Sequence, residues 1–422
     1  MKDLQVIILS SEKLNGEKAI EEIIEKAKKC KIEPQLILFF STIHYKKSFK
    51  NILRKLKSQF PYGKLAGCTI NGFITKDTIS VRGMVCIFFH SPYLWITEGI
   101  GHNTKRNPQK AARECIKKIN TNSLNNINTL LFTITSGPVV PKLPFLNKNF
   151  IESKIFGELI VNIGLPLASY LGYGIGREGE IIDEFNKIIN NKHYVVGLSS
   201  MDDGKMFSTY QFYENKVLTN AVIAIKITTS LPIYLKSRMC GKPSRKEFVI
   251  TDTGFKNNVI KKINNLPAKT EFLKLLGISD ELYKINTGAF YYKVSDYFPL
   301  LFKENIGYSS GVGGFYGENI LLGYKIRGKH IEILSITGCE LIETAKDVLN
   351  HFKSHKPKFL FIIASFAYLY ILGNKIFKIN KEIEKILKNT QYIVIFPVSE
   401  TVGSPKKHIV HRVYSFNAFS LG

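Results

Sequence analysis

Small hydroxyl-bearing residues follow three apolar runs of the sequence, and their side chains could take part in ligand binding. They are Ser41 after residues 35–40, Ser136 and Gly137 after residues 129–134, and Ser365 after residues 358–364. In α/β sheets, ligands usually bind beyond strand ends, where backbone NH groups and small side chains leave room. Small residues at a single strand end also make tight turns, which is the alternative explanation. Three equivalent turns in one chain favour a shared pocket.

The predicted pocket is polar and is formed jointly by both halves of the chain. Glu400 could hold an ammonium group of a ligand, or it could pair with a nearby lysine at a strand end. Backbone NH groups of the glycine-containing turns could bind a carboxylate. Hydroxyl and amide side chains offer further hydrogen-bond donors and acceptors. The candidate ligand-binding residues are Ser41, Cys68, Thr69, Asn71, Gly72, Ser136, Gly137, Ser365, Ser399, Glu400 and His411.

Catalytic motifs give no support for an enzyme. No GxxxxGK[ST] loop and no HExxH motif occurs, and we expect no nucleophile elbow of the GxSxG type. The glycine-rich residues 172–176 are interpreted as a turn, because the charged stretch 177–180 follows them instead of an apolar helix start. Cys68 opposite a histidine could form a reactive thiolate pair, whereas an inert buried thiol is the alternative. We therefore expect a protein without catalytic residues.

Cofactors and metals are likewise not expected. His351 and His355 lie four residues apart among the lysines 353, 356 and 358, and a metal site needs three or four ligands. We interpret them as solvated residues at a helix end. Haem is the alternative cofactor, and His411 or His193 would be its axial ligand.

The elements that position these residues repeat one pattern three times. An apolar strand is followed by a helical or loop segment, a second strand, and further strands after a turn of small residues. Apolar residues at helical spacing predict a helix over residues 46–59 in the first repeat and over residues 379–388 in the third. In the second repeat, residues 166–174 take the place of the second strand, and residues 206–213 and 217–227 form a hairpin.

These repeats predict an α/β fold with mixed β-sheets flanked by helices. The units of strand, helix, strand and strand are expected to form two closely packed domains. The weakest junction lies at residues 228–232, where a strand gives way to a basic loop that contains proline. The predicted domains are therefore residues 1–230 and residues 231–422.

Composition limits the partners of the chain. Of its 422 residues 45% are hydrophobic and 22% are charged, which is typical of a globular protein. The most apolar run, residues 359–372, is shorter than the roughly 20 residues of a membrane-spanning helix. We therefore expect a cytoplasmic protein without a membrane partner. The six cysteines include no CxxC pair and predict no disulfide framework.

The net charge of +25 suggests nucleic-acid binding, but its distribution does not support it. The lysines are spread along the chain next to isoleucine and asparagine, as at residues 261–265. These three amino acids share AT-rich codons, so a biased base composition would raise them together. We therefore expect no nucleic-acid partner.

Several motifs, in their order along the chain, resemble the FIST family, in which an N-terminal and a C-terminal FIST domain occur together. The strongest likeness lies in residues 260–277, where proline and alanine open a helix that ends in Leu-Gly. Three positions depart from the family pattern, namely Phe73, Ser365 and Arg412. The other matching segments are residues 36–41, 67–72, 210–217, 399–400 and 411–422.

The resemblance implies a sensory protein. Such proteins are regarded as sensory modules for small ligands, amino acids having been proposed, and some relatives bind haem and sense nitric oxide. The chain has no room for an output domain, so we expect it to signal through a separate effector protein. A non-catalytic scaffold with a degenerate pocket is the alternative function.

Overall fold

The protein has an α/β fold, and the computed structural model describes residues 4–119, 127–140, 148–174, 177–279, 296–305 and 307–422. Three mixed sheets pack around a central hydrophobic core, and helices cover their outer faces. The fold class predicted from the sequence is confirmed. Among the described residues, no helix has both the length and the apolar character needed to cross a bilayer.

The three central sheets each contain six strands. In spatial order, sheet 1 consists of β1 (Gln5–Ser11), β6 (Met84–His90), β2 (Leu36–Ser41), β3 (Lys64–Thr69), β10 (Gln211–Tyr213) and β11 (Lys216–Leu218). Sheet 2 consists of β25 (Val410–Arg412), β24 (Glu400–Gly403), β9 (Tyr194–Ser199), β8 (Asn128–Thr135), β12 (Ala221–Thr229) and β7 (Leu94–His102). Sheet 3 consists of β13 (Ile233–Met239), β26 (Ser415–Leu421), β22 (Phe359–Ala364), β23 (Gln391–Ile395), β4 (Phe73–Ile74) and β5 (Ile79–Ser80).

A fourth sheet interrupts sheet 3 in sequence, because its strands lie between β13 and β22. Sheet 4 consists of β18 (Ser309–Ser310), β17 (Leu300–Phe302), β21 (His330–Ser335), β14 (Lys242–Gly254), β15 (Val259–Ile263), β20 (Asn319–Leu322) and β19 (Val312–Tyr316), with β16 (Leu266–Pro267) beside β15. We call residues 242–335 the insertion.

The helices of the described chain lie mostly on the outer faces of the sheets. They are α1 (Gly16–Lys29), α2 (Phe49–Gln59), α3 (Pro108–Lys117), α4 (Lys148–Ile151), α5 (Lys154–Leu159), α6 (Leu165–Tyr170), α7 (Glu178–Ile189), α8 (Ala268–Leu276), α9 (Gly338–Lys353), α10 (Ala367–Leu372) and α11 (Phe377–Ile386). A π-helical turn, Ile160–Gly164, joins α5 to α6, and short 3₁₀ turns cover Ile43–Tyr45, Phe255–Asn257 and Gly373–Ile376.

Sheets 1, 2 and 3 share one topology. In sheet 1, β2 is parallel to β3 and antiparallel to β6, and β6 pairs in turn with β1. In sheet 2 the same places are taken by β8, β9, β12 and β7. In sheet 3 they are taken by β22, β23, β26 and β13. The chain therefore contains three repeated units, which we number unit 1 (residues 4–90), unit 2 (94–229) and unit 3 (233–421).

The three units exchange short hairpins. The hairpin β10–β11 of unit 2 extends sheet 1 beyond β3, and β4–β5 of unit 1 extends sheet 3 beyond β23. The hairpin β24–β25 of unit 3 extends sheet 2 beyond β9. Each unit thus completes the sheet of a neighbour. The boundary predicted at residue 230 falls between units 2 and 3. Hairpins cross this boundary in both directions, and the division into two domains stays a prediction.

Inner strands of the central sheets such as β2 and β22 are buried on both faces, which explains their continuous apolar runs, whereas β1, β7 and β13 are partly exposed. Inner-facing side chains of all three sheets form one cluster in which Phe361 lies 5.9 Å from Phe40 and 5.4 Å from Phe132, measured between ring centroids. The outer faces pack on the helices, as in the cluster that joins α1 and α2 to sheet 1. Local signals place helix starts: a capping box of Thr337 and Glu340 begins α9.

Two sequence expectations for unit 2 are wrong. Residues 166–174 do not form a strand, since Leu165–Tyr170 is helical and continues the preceding turns. The charged residues that follow the glycine-rich stretch do begin a helix, because α7 starts at Glu178, while residues 175–176 of the predicted turn lie outside the described residues. Glu178 and Glu180 lie in the first turn of α7, where the positive end of the helix dipole favours acidic side chains. The second strand of this repeat is instead β9, which follows α7 in the chain.

Candidate functional site

The carboxyl ends of the three parallel strand pairs meet at one end of the central core. Each unit donates one backbone hydrogen bond to the next around a ring, which we call the strand-end ring. Its bonds run from Met201 N to Thr69 O (2.9 Å), from Val398 N to Ser199 O (3.3 Å) and from Asn71 N to Phe396 O (3.0 Å). Because the ring joins all three units, residues that lie far apart in sequence come together there.

Buried polar side chains surround one side of this ring. The buried members come from units 2 and 3, and the insertion adds one tyrosine. We call the group the central polar site, and it consists of Lys105, Thr135, Gly137, Glu178, Ser199, Ser200, Tyr324, Ser399, Glu400, His411 and Arg412.

Hydroxyl groups link units 2 and 3 across the site. Ser199 Oγ lies 2.6 Å from Thr135 Oγ1, and Ser399 donates to Ser199 Oγ at 2.8 Å. Ser200 Oγ accepts from Gln211 Nε2 at 2.6 Å and from the backbone NH of Gly137 at 3.1 Å. These hydrogen bonds hold the strand ends of units 2 and 3 together, and the charged side chains of the site lie beside them.

Lys105 and Glu178 are oppositely charged residues in the interior, each only 1% exposed. The Lys105 ammonium group donates to the Gly137 carbonyl oxygen. Neither carboxylate oxygen of Glu178 has a hydrogen-bond partner, so the two side chains do not bond to each other. Burial lowers the pKa of Lys105 to about 8 and raises the pKa of Glu178, and the attraction between the two groups opposes both shifts. Burying a carboxyl group without a partner is costly, so Glu178 is a feature that requires an explanation.

Glu400 is a second incompletely bonded carboxyl group. It is fully buried, and its Oε2 accepts from Ser415 Oγ at 2.8 Å and from Ser415 N at 3.2 Å. Its Oε1 has no partner, and neither does Nε of Arg412. Burial raises the pKa of Glu400 to about 8, although the Ser415 hydrogen bonds and the Arg412 charge oppose the shift.

His411 lies beside a small cavity at the edge of the site. Its Nδ1 is 3.0 Å from Thr401 Oγ1, while its buried Nε2 has no partner. Burial lowers the pKa of His411 to about 3, and the nearby charge of Arg327 adds to the shift. The cavity holds about one water molecule. It is lined by Gly179, Phe302, Tyr308, Ser309, Tyr324, Lys325, Arg327 and His411.

Tyr324 connects the insertion to both carboxyl groups. Its ring packs against His411 with 4.6 Å between centroids. Its pKa is raised well above the usual range, first by burial and then by the nearby charges of Glu178 and Glu400, while Ser399 opposes the shift. The phenol group therefore lies close to both carboxyl groups, and a molecule bound there would contact two units and the insertion.

Five of the candidate residues from the sequence lie within or beside the central polar site. They are Ser136, Gly137, Ser399, Glu400 and His411. Three more lie in or next to the strand-end ring: Thr69, Asn71 and Gly72. Of these, Asn71 has a buried Oδ1 without a partner, whereas its Nδ2 contacts Met201 Sδ at 3.4 Å.

The other three candidates are occupied elsewhere. Ser41 Oγ donates to the adjacent Thr42 carbonyl oxygen at 3.1 Å, and Ser365 Oγ accepts from the Ala367 NH at the start of α10. Cys68 belongs to the central hydrophobic core, where burial raises the pKa of its thiol well above the usual range. The structure therefore does not bring these three side chains to the central polar site.

One motif escaped the sequence analysis. Residues 307–311 read Gly-Tyr-Ser-Ser-Gly and match the spacing GxSxG, contrary to the expectation stated for that motif. Ser309 lies in β18, and its Oγ donates to the Val413 carbonyl oxygen at 2.8 Å. A nucleophile elbow requires a turn between a strand and a helix. The serine here lies within a strand and is not such a nucleophile.

Lys105, Glu178 and Tyr324 were missed because their local sequences resemble surface loops. Lys105 lies in a polar stretch next to Arg106, and Glu178 lies between Arg177 and glycine. The glycine-rich residues that precede α7 were the available signal for Glu178, because such residues allow close approach of a backbone to a ligand.

A buried polar site thus lies where the strand ends of this α/β protein converge. The model of the FIST N domain matches residues 35–266, more than half of the chain, and the protein belongs to this family of sensory domains. A C-terminal FIST domain stays a prediction, because the match ends at residue 266.

Other comparisons add little to this assignment. No curated protein matches the sequence. Among solved structures, the chain is similar to a crystal structure of cyanuric acid hydrolase from A. caulinodans, with 7% identity and a TM-score of 0.33 over 100% of this chain and 99% of that chain. A similarity at this level carries no conclusion about activity.

Proposed function

We propose that the protein is a sensor that binds one small polar molecule at the central polar site and signals through a separate effector protein. The ligand displaces Tyr324 or water from the small cavity and bonds to the buried groups. Amino acids are the first class to test, because the site combines cationic and carboxyl groups. No reaction is proposed for the bound molecule.

One observation carries this proposal: four side chains of the central polar site have buried polar atoms without partners. They are both carboxylate oxygens of Glu178, Glu400 Oε1, His411 Nε2 and Arg412 Nε. Buried polar groups are almost always hydrogen-bonded, and each exception costs about 1–3 kcal/mol. A bound polar molecule that supplies these bonds recovers this energy.

The chemistry of the candidate nucleophiles supports binding over catalysis. The Cys68 thiol lies in an apolar core and has a raised pKa, so it is not available as a thiolate. Ser309 is bonded to a backbone carbonyl group. Within the described ranges, no group of three or more His, Cys, Asp or Glu side chains could hold a metal ion.

Haem does not fit beside His411. The imidazole faces Tyr324 at 4.6 Å between centroids, and the adjacent free space holds about one water molecule. A porphyrin would require removal of the insertion from this position. His193, the other sequence candidate, is buried at the start of β9. We therefore propose no haem.

Native mass spectrometry of the purified protein, followed by thermal unfolding with an amino-acid panel, tests the proposal. A ligand at about 100 times its Kd stabilises the folded state by roughly 2.7 kcal/mol. We expect a concentration-dependent rise of Tm in the wild type and in Glu25→Gln, an exposed control. The rise should be lost in Glu178→Gln. Absence of any bound molecule and of any shift across the panel would favour the scaffold function.

A further inference from the structure

A continuous apolar surface lies on the helical segment formed by α5, the π turn and α6. Its side chains are between 40% and 80% exposed and follow one another at helical spacing. We call this surface the apolar ridge, and it consists of Ile155, Phe156, Leu159, Ile163, Leu167, Tyr170, Leu171 and Tyr173. Single exposed apolar residues are ordinary, but a contiguous patch of this kind marks an interaction surface.

The opposite face of the same segment attaches it to the insertion. Gly157 lies so close to the backbone of Gly317 that a Cβ atom at residue 157 would overlap it. Val161 packs with Val259 and Leu321 in a separate buried cluster. Because these contacts hold the helix by its small and branched residues, most of the large apolar side chains point away from the protein, while Phe156 stacks on Phe150 with 3.8 Å between ring centroids.

Basic side chains border the apolar ridge. The Arg106 guanidinium group lies 4.1 Å from the centroid of the Tyr170 ring, and Lys256 Nζ is 3.4 Å from Ser169 Oγ. Lys154 is exposed on α5 itself.

Two further lysines at this border are matched by acids. Lys261 lies 3.9 Å from Glu158, and Lys269 lies 2.8 Å from Glu152. The described groups at the border therefore comprise five basic and two acidic side chains, which gives a net charge of +3.

We propose that the apolar ridge binds peripherally to an anionic lipid bilayer, with its apolar side chains between the head groups and its basic border against the phosphates. An apolar helix face with flanking cations is the pattern of helices that lie in the membrane interface. Lys and Arg side chains near an anionic surface are attracted to it, and the net charge of +25 adds long-range attraction.

The same charges disfavour a second copy of the chain as the occupant. Two ridges packed together would bring two positively charged borders into contact, and like charges oppose such an interface. A peripheral helix also needs no membrane-spanning segment. The expectation of no membrane partner rested on the absence of a spanning run, and it stays a prediction that the following experiment also tests.

Co-sedimentation with lipid vesicles tests the proposal. The full chain is mixed with vesicles of phosphatidylcholine alone or of phosphatidylcholine with phosphatidylserine. We expect binding to the anionic vesicles only, and weaker binding as salt is raised. The double variant Leu159→Glu with Ile163→Glu should bind at least about tenfold more weakly, because it places two carboxylates where the helix would enter the interface.

A matched control separates the ridge from charge alone. Leu14→Glu with Val81→Glu changes two similarly exposed residues by the same charge, at 73% and 60% exposure, outside the ridge. Circular dichroism and Tm confirm folding of both double variants. Equal loss of binding in the two double variants would overturn the proposal. So would failure of the wild type to bind anionic vesicles, or self-association in solution that the ridge variant abolishes.

Discussion

Glu400 provides the sharpest test of the central polar site, because its carboxyl group is fully buried and only half bonded. In the folded protein its pKa is about 8, against 4.5 for an ordinary glutamate. Between pH 4.5 and about pH 8, Glu400 is therefore protonated in the folded state and ionised in the unfolded state. The contribution of the neutral group to stability is complete below about pH 4.5 and is lost as the pH rises to about 8.

The size of this effect follows from the two pKa values. Each pKa unit corresponds to about 1.4 kcal/mol, so ionisation of Glu400 costs the folded state about 5 kcal/mol in total. About 3 kcal/mol of this loss falls between pH 5 and pH 8. The Glu400→Gln variant keeps a similar shape and an acceptor for the Ser415 bonds, but its amide does not titrate.

Urea unfolding of the wild type and of Glu400→Gln at several pH values measures the effect. We expect the variant to gain about 3 kcal/mol relative to the wild type between pH 5 and pH 8. Arg412 and the hydroxyl and thiol groups of Tyr324, Tyr368 and Cys240 face the same carboxyl group, and they are present in both proteins. Their titration therefore largely cancels in the comparison.

Glu25→Gln serves as the control, because it removes an exposed carboxylate from α1 and should show no such relative change. A pH-independent difference between the wild type and Glu400→Gln would refute the reasoning. It would mean that Glu400 is already ionised in the folded protein and that Arg412 or an enclosed water neutralises it.

Three further predictions concern stability and are measured by chemical denaturation. Lys105→Met leaves Glu178 without its nearby cation and should destabilise the fold by about 3–5 kcal/mol, whereas adding Glu178→Gln should recover a large part of this loss. Gly67→Ala should cost roughly 3 kcal/mol or more, because a Cβ there overlaps a backbone carbonyl group of β2. Gly338→Ala should cost much less, because a Cβ there meets only the end of the Leu372 side chain, at 3.3 Å, and similar values for both variants would contradict this. Thr337→Ala should cost about 1 kcal/mol through loss of the capping box of α9, and no measurable change would show that the cap is redundant.

The repeated strands and the helices α2 and α11 could be predicted from local sequence. Buried runs such as Leu36–Ser41 are apolar throughout, and Phe49–Gln59 has a clear helical period. The helix Leu165–Tyr170 was missed, because the repeat pattern suggested a strand at this position and its contacts with the insertion are distant in sequence. Local sequence also carries no information on which sheet receives the short hairpins.

The charged part of the site could not be predicted for a related reason. Lys105 is buried only because the Gly137 carbonyl group and α7 enclose it, and both lie far along the chain. Glu400, by contrast, was predicted because it follows the second strand of the third repeat, in a segment that resembles a family motif. Some site residues on repeated strand ends were therefore predicted, but Thr135, Ser199 and Ser200 were not, and neither were the residues supplied by connecting loops and by the insertion.

The strand-end ring repeats three times, but its polar chemistry does not. Unit 1 ends its parallel strands with Ser41 and Thr69, which bond locally or to a neighbouring backbone group. Unit 2 contributes Lys105 and Glu178, and unit 3 contributes Glu400.

The insertion covers this asymmetric side with Tyr324. A single molecule bound there would bridge unit 2, unit 3 and the insertion at once, because all three hold a polar group that faces Tyr324 or belongs to it. A ligand that changes the position of Tyr324 must therefore change the packing of the insertion on both units, and this coupling is what a sensor needs in order to report occupancy to a partner.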